Sequence, residues 1–117
     1  MTQLRYALGS IIMSYLKSNK NLKLLKNHKN YRYIFKRYPR FIKLNFSWSN
    51  ILDNDLKYLK GVHYINLKFC EKITDKGLKY LKGVHSINLR WTNITDKGLK
   101  YLKGAHYICL YGNKYNR

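Results

Sequence analysis

The stretch from Ile73 to Gly83 reads ITDKGLKYLKG, and the same eleven letters recur from Ile94 to Gly104. A diverged copy, ILDNDLKYLKG, runs from Ile51 to Gly61. A unit this small cannot bury its own apolar face, so regular recurrence is typical of a stacked repeat, in which each unit covers that face with its neighbour. The sequence therefore predicts a solenoid for the region that contains these copies.

Each copy is the second half of a longer unit that opens with VHYINLKFC at 62, VHSINLRWT at 84 and AHYICLYGN at 105. Apolar residues stand at the first, fourth and sixth places, which is the pattern LxxLxLxx(N/C) of a leucine-rich repeat. The same frame fits PRFIKLNFS from Pro39, so we predict units that start at 39, 62, 84 and 105. The intervals of 23, 22 and 21 residues lie within the range of such repeats.

The alternation inside a unit predicts a short strand followed by a helix. Ile65 and Leu67 should point inward while their neighbours face outward. Thr74 is placed to cap the helix, and Gly83 is placed to end it. The residues that should face the core from the helix are Leu78 and Leu81, and those that should face solvent are Lys76, Lys79 and Lys82.

Two small residues complete the unit. Gly77, inside the helical half, costs roughly 1 kcal/mol relative to Ala, and we attribute it to close backbone packing between units. Cys70, at the ninth place, should be buried as a small apolar side chain rather than act as a reactive thiol.

The motif resembles the cysteine-containing subclass of leucine-rich repeats, whose units carry an ITDxGL phrase after a strand that ends near Cys. The resemblance covers Pro39 to the C-terminus and implies an α/β fold: a short solenoid of parallel strands plus helices. This subclass is familiar from F-box proteins.

Residues 1–38 lack both the repeat and acidic residues, so we assign them to a separate segment, with the repeats at 39–117. Leu4, Leu8, Ile12 and Leu16 recur every four residues, which favours a helix. Two further apolar clusters suggest two more short helices. One interpretation is a helical cap, because the end of a solenoid needs covering.

The other interpretation is an F-box. LRYALGSIIMSYL, from Leu4 to Leu16, resembles the opening of that domain, and NHKNYRYIF, from Asn27 to Phe35, resembles a later part. The resemblance implies binding to a Skp-type adaptor of a cullin-type ubiquitin ligase. The implied adaptor contacts are Leu4, Leu8, Ile12, Met13 and Leu16. The protein would then recruit substrates for ubiquitin transfer, whereas a shortened scaffold without adaptor binding stays an alternative.

The charge of the chain points to a second class of partner. The formal net charge is +19, and all five acids lie beyond residue 52. Such a field attracts nucleic acid, anionic membrane or acidic protein, although AT-rich coding also explains much of the lysine. The rival hypothesis is a basic solenoid that binds nucleic acid non-specifically through lysines on its helical side. Those lysines are Lys57, Lys60, Lys76, Lys79, Lys82, Lys97, Lys100 and Lys103.

The outward strand positions are the candidate target-binding face. Places three, five and seven of the four units carry Phe41, Lys43 and Asn45; Tyr64, Asn66 and Lys68; Ser86, Asn88 and Arg90; and Tyr107, Cys109 and Tyr111. Aromatic, amide and basic side chains together can anchor an acidic protein segment. The residues predicted to bind a target are Tyr64, Asn66, Lys68, Asn88, Arg90, Tyr107 and Tyr111. The alternative is a merely solvated strand face.

Catalysis is not expected. His63, His85 and His106 should stack in a row, but copying of the unit explains the row better than a metal site does. No nucleophile, P-loop or paired-carboxylate motif is present, so we predict neither an enzyme nor a cofactor.

The expected location is intracellular, in the cytoplasm or nucleus. Cys70 and Cys109 are too far apart for a CxxC pair, which favours a reducing compartment. Residues 7–16 are too short to span a bilayer, so neither a signal peptide nor a membrane anchor is expected.

Overall fold

The computed structural model describes residue 37 and residues 43–112. Short strands alternate with short helices along the repeat region, as the alternation of the units predicts. In chain order the elements are β1 (Lys43–Asn45), the 3-10 helix η1 (Asp53–Leu59), β2 (Tyr64–Asn66), the 3-10 helix η2 (Asp75–Leu81), β3 (Ser86–Asn88), the α-helix α1 (Asp96–Leu99), the 3-10 helix η3 (Lys100–Leu102) and β4 (Tyr107–Cys109).

The four strands form one parallel sheet in the order β1-β2-β3-β4. Corresponding residues of successive units lie opposite each other, as in the pairs Ile65–Ile87 and Ile87–Ile108. The inward side chains of the strands and helices form a single core, and Leu89 and Leu78 are completely buried in it. This arrangement confirms the predicted α/β repeat fold with parallel strands.

The strand register corrects the predicted frame of the first unit. Leu44 lies opposite Ile65, so Leu44 occupies the fourth place and not the sixth. Counted back from Leu44, the unit starts at 41 rather than 39, and its interval to 62 becomes 21 residues. Side chains alternate with a period of two, so a two-residue shift leaves the apolar pattern almost unchanged. For the same reason Lys43 and Asn45 still face outward.

The helical segments occupy the predicted positions but are mostly 3-10 helices. Each ends just before a glycine in the left-handed region, with φ of 89° at Gly61 and Gly83 and 90° at Gly104. Glycine adopts this conformation without the steric penalty of a Cβ. Lys76, Lys79 and Lys82 are exposed, as expected.

Thr74 stands at the N-cap of η2, but the predicted capping bond is wrong, since its side chain makes no hydrogen bond to the helix and bonds instead to another unit. The Thr95 hydroxyl does both, because it also accepts from the Lys97 amide at 3.3 Å. Thr74 Oγ1 donates to Asp53 Oδ2, and the Thr74 amide donates to Asp53 Oδ1 at 2.7 Å. The next unit repeats the contact, with the Thr95 amide 2.8 Å from Asp75 Oδ1 and the Thr95 hydroxyl on Asp75 Oδ2. We call this Asp–Thr pair between successive units the inter-unit rung.

The glycines at 77 and 98 make room for the rung. A methyl group at position 77 would lie 2.9 Å from Asp53 Cγ and 3.0 Å from Leu56 Cδ1. At position 98 it would lie 3.0 Å from Asp75 Cγ. Cβ atoms rarely approach carbon this closely, so the units pack tightly here as expected. The groups in close contact are side chains of the preceding unit, however, and not its backbone.

The predicted adaptor-binding residues and helical segments fall in residues 1–38, which lie outside the described part of the chain except for Arg37. The segment boundary at 38/39 and the F-box interpretation therefore stay predictions.

Candidate partner-binding face

The outward side chains of the four strands form an open face, which we call the strand face. A cavity of about 460 Å³ lies on it. The described residues that line the cavity are Lys43, Leu44, Tyr64, Ile65, Asn66, Ser86, Ile87, Asn88, Tyr107 and Cys109. Four of the predicted target-binding residues, Tyr64, Asn66, Asn88 and Tyr107, are thus brought together at one place.

Aromatic rings and one cation set the chemistry of the strand face. Tyr107 is 69% exposed, and the Lys43 Nζ lies 5.3 Å from the centre of the Tyr64 ring. Among the described residues that line the cavity, none is acidic. Tyrosines supply large contact area at low entropic cost, while a lysine without a nearby carboxylate attracts negative charge. The face therefore suits a neutral or acidic polypeptide segment.

Asn66 and Asn88 stabilise the turns after their strands in addition to lining the strand face. Asn66 Oδ1 accepts from the Lys68 amide at 2.9 Å, and Asn88 Oδ1 accepts from the Arg90 amide at 3.0 Å. These Asx turns close the carboxyl ends of the strands. Because the carbonyl oxygen is already used, Asn66 and Asn88 can offer a partner mainly their amide Nδ2 hydrogens.

The other three predicted target-binding residues lie away from the cavity. Lys68, Arg90 and Tyr111 sit in the turns that follow the strands, where they contact aromatic rings. The Lys68 Nζ lies 5.3 Å from the centre of the Phe69 ring, and the Arg90 guanidinium lies 5.4 Å from that of Tyr111. The predicted face is therefore two adjoining surfaces, one on the strands and one on the turns.

The turns carry a row of aromatic rings, which we call the turn ladder: Trp48, Phe69, Trp91 and Tyr111. Trp48 and Phe69 stack at 3.7 Å between ring centres and 15° between planes. Phe69 and Trp91 are parallel within 3° at 5.8 Å, and Trp91 meets Tyr111 edge-on at 5.9 Å. Within residues 43–112, Trp48 is the first ring of the row, and it is 71% exposed.

Sequence reasoning missed the turn ladder. The signal was available, because aromatic residues stand at the eighth place of the second and third units, as Phe69 and Trp91. Trp48 occupies that place in the first unit only after the frame is shifted by two residues. The incorrect frame therefore hid one end of the row.

The helical side presents the predicted lysines. Lys60, Lys82 and Lys103 are exposed on it. Lysine amino groups also lie over tyrosine rings in each of the first three units: Lys57 over Tyr58 at 5.1 Å, Lys79 over Tyr80 at 5.0 Å and Lys100 over Tyr101 at 5.1 Å. These tyrosines pack against the core and are half-buried, so the helical side offers cations but few free ring faces.

The three histidines form the expected row. The rings of His63 and His85 stack at 5.1 Å, and those of His85 and His106 at 4.4 Å. Across residues 43–112 and Arg37, no group of three or more His, Cys, Asp or Glu side chains could hold a metal ion. In that same part of the chain, no helix is long and apolar enough to cross a membrane.

Cys70 is buried as predicted and belongs to the core. Its thiol donates to the Phe46 carbonyl oxygen at 3.0 Å, which links the first two units. Burial raises the pKa of the Cys70 thiol, since the charged thiolate would lose its hydration. Thr92 takes the equivalent place in the third unit, and its hydroxyl donates to the Leu89 carbonyl oxygen at 2.7 Å.

A family model described as "Leucine Rich repeat" matches residues 62–82 and 84–103. These two segments are leucine-rich repeats. Repeats of this kind indicate a protein–protein interaction module, in agreement with the open strand face. The matched residues do not reach residues 1–38. No curated protein and no solved structure matches the chain.

Proposed function

We propose that this protein recruits a target protein to a cullin-type ubiquitin ligase, with the repeats holding the target and residues 1–38 binding a Skp-type adaptor. The observation that carries the target-binding half is the strand face, where Tyr64, Asn66, Asn88 and Tyr107 converge on one cavity without an acidic residue among its described lining. The target would present a neutral or acidic segment to this face.

The adaptor-binding half rests on the resemblance of Leu4 to Leu16 to the opening of an F-box. Leu4, Leu8, Ile12, Met13 and Leu16 supply the apolar contacts in that interpretation. The protein itself would have no catalytic role, because ubiquitin transfer would belong to other subunits of the ligase. Its location would be the cytoplasm or nucleus, where such ligases work.

The test is binding of the purified full-length chain to a purified Skp-type adaptor, measured by calorimetry. We expect the wild-type chain to bind, and we expect the double change Leu8→Ala and Ile12→Ala to abolish binding. The melting temperature of the repeats should stay unchanged, because solenoid units depend mainly on their neighbours. A matched control is Leu52→Ala, which removes an exposed leucine from the repeat region.

Two results would contradict the proposal in different ways. A wild-type chain that binds no adaptor would defeat the ligase role and leave a repeat scaffold. A double variant that melts earlier would support the helical cap instead, since the same leucine and isoleucine would then cover the first repeat.

A further inference from the structure

We propose that the turn ladder is a second binding surface, which takes single-stranded nucleic acid by stacking a base on Trp48 while Lys68 contacts an adjacent phosphate. This surface differs from the strand face and does not depend on the ligase proposal.

The ladder ends in a ring that is open to a ligand. Trp48 stacks on Phe69 at 3.7 Å and is nevertheless 71% exposed. One ring face is covered by Phe69, and among residues 43–112 no other ring stacks on Trp48, so within this part of the chain the exposed area includes the opposite face. Because Phe69 packs against one face of the Trp48 ring, a nucleobase could stack on this ring with little additional loss of side-chain entropy.

The aromatic residues occupy backbone positions that disfavour them. Trp48, Phe69 and Trp91 have φ of 64°, 60° and 57°, while Gly112 stands at the equivalent place of the fourth unit with φ of 75°. A non-glycine residue in this region costs about 1 kcal/mol or more. Glycine would avoid this backbone cost, yet three of the four places carry large rings.

Two cationic side chains lie beside the ladder. The Lys68 Nζ lies 5.3 Å from the Phe69 ring centre, and Phe69 is itself stacked under Trp48. Arg90 takes the equivalent place in the next unit, beside Tyr111. Lysine and arginine beside stacked rings form the combination that binds single strands, in which the backbone meets cations and the bases meet rings.

The exposed ring of Trp48, with Lys68 in the next turn, favours nucleic acid over an acidic peptide. Both ligands would be attracted by the positive charge. Only a nucleic acid, however, carries one planar base for each negatively charged phosphate. A double helix keeps its bases stacked inside, so it could use only the cations. The surface should therefore prefer single strands that carry bases.

The experiment measures binding of the full-length chain to three probes at matched salt: oligothymidylate of about twelve nucleotides, an abasic oligomer with the same number of phosphates, and a duplex. Oligothymidylate should bind most tightly. In a Trp91→Phe chain, where Trp48 is the remaining tryptophan, oligothymidylate should quench the fluorescence and the abasic oligomer should not.

Variants separate stacking from general charge. Trp48→Ala should weaken oligothymidylate binding by about 5- to 150-fold, the range expected for one stacked base, and should leave abasic binding unchanged. Trp48→Gly should do the same while suiting the positive φ, which guards against a folding defect. Leu52→Ala is the control, an exposed apolar change outside the ladder. Lys68→Gln should lower the salt slope by about one.

Equal affinity for the oligothymidylate and abasic probes, or no effect of Trp48→Ala on either, would overturn the proposal and leave a polycation effect. Tighter binding of an oligoglutamate peptide, lost in the Trp48 variants, would also overturn it and assign the ladder to an acidic protein.

Discussion

At Gly77 the absence of a side chain makes room for the carboxylate of the preceding unit. The Asp53 carboxylate lies too close to the position of a Cβ on Gly77 to allow one, and it accepts two hydrogen bonds from Thr74. The sequence could suggest only that a glycine in a helical segment needs a packing reason. The group that packs against Gly77 comes from the preceding unit, so it can be identified only when the register between the strands of the two units is known.

The substitution Gly77→Ala tests this packing directly. Helix propensity alone would make Ala more stable by about 1 kcal/mol. We expect instead a loss of about 1 to 3 kcal/mol in the free energy of unfolding, because the added methyl overpacks the rung. Denaturant unfolding of Gly77→Ala, Asp53→Ala and the double variant gives a double-mutant cycle. The double variant should lose less free energy of unfolding than the two single variants lose together. Lys76→Ala, at the exposed neighbouring position, is the control and should leave the free energy of unfolding almost unchanged. A Gly77→Ala variant that is more stable than the wild type would contradict the close contact.

The two cysteines should differ in reactivity toward a thiol reagent. Cys70 is fully buried and its pKa is raised by desolvation, whereas Cys109 is partly exposed on the strand face. Under native conditions at neutral pH we therefore expect one fast thiol per chain, lost in Cys109→Ser. Two thiols of equal rate would mean that the first two units open readily.

The raised pKa of Cys70 also predicts the sign of a pH effect. Unfolded Cys70 ionises near its ordinary pKa of about 8.5, while the folded thiol stays neutral to higher pH. The neutral Cys70 thiol therefore contributes its full share to the free energy of unfolding below the ordinary pKa, and this share is lost as the pH rises toward the pKa of the folded state. Cys70→Ala should therefore show a shallower loss of stability above about pH 8.5 than the wild type, in parallel urea titrations. Identical pH slopes would contradict the burial.

Several residues of the eleven-residue phrase have an identified structural role in the repeat. The isoleucine and the first leucine are core residues, as Ile73 and Leu78 show. The threonine and aspartate form the rung with the units on either side, and the last glycine ends the helix. The phrase recurs because a unit must match its copies on both sides.

The diverged first copy fits this account. Leu52 replaces the threonine and Asp55 replaces the glycine that makes room for a preceding carboxylate. Both changes fall at the places that would contact a preceding unit through a rung. Asp55 instead bonds within its own unit, where its Oδ2 accepts from the Leu52 amide at 2.9 Å. The first copy therefore keeps the letters that serve the core and the following unit.

Removal of the rung hydroxyl should destabilise only the units that use it. Thr74→Val removes the hydroxyl donor to Asp53 without removing a helix-capping bond, and we expect a loss of roughly 0.5 to 1.5 kcal/mol. Leu52→Val, at the same place in the first unit, should stay within about half a kcal/mol because no rung exists there. Chemical unfolding of the two variants gives the comparison, and equal losses would show that the hydroxyl is not used.

The sequence predicted correctly those features that depend on residues of a single unit. The inward positions Ile65 and Leu67, the outward lysines and the helix ends at glycine follow from local alternation and turn chemistry. The Thr74 contact, the first frame and the turn ladder depend on neighbouring units. A pattern with period two cannot distinguish frames two residues apart, which is why Leu44 was misplaced and Trp48 overlooked.

The described part of the repeat region is stabilised by one core that runs through its units. Leu89, in the third unit, is completely buried in it. Leu89→Ala should cost about 2 to 5 kcal/mol, as other large-to-small core changes do. Lys100→Ala, on the exposed helical side, should change stability by less than about half a kcal/mol. Equal melting temperatures for the two variants would contradict the inward and outward assignment.

The central claim is that successive units stack as parallel strands in one register, which creates both binding surfaces. Through-hydrogen-bond couplings in NMR test it most directly, since they identify the donor and acceptor of each bond. The structure predicts couplings from the amides of Phe46, Leu67 and Leu89 to the carbonyl carbons of Asn66, Asn88 and Cys109, respectively. A coupling from the Leu44 amide to Asn66 would restore the frame that starts at 39, and the absence of all three couplings would contradict the solenoid.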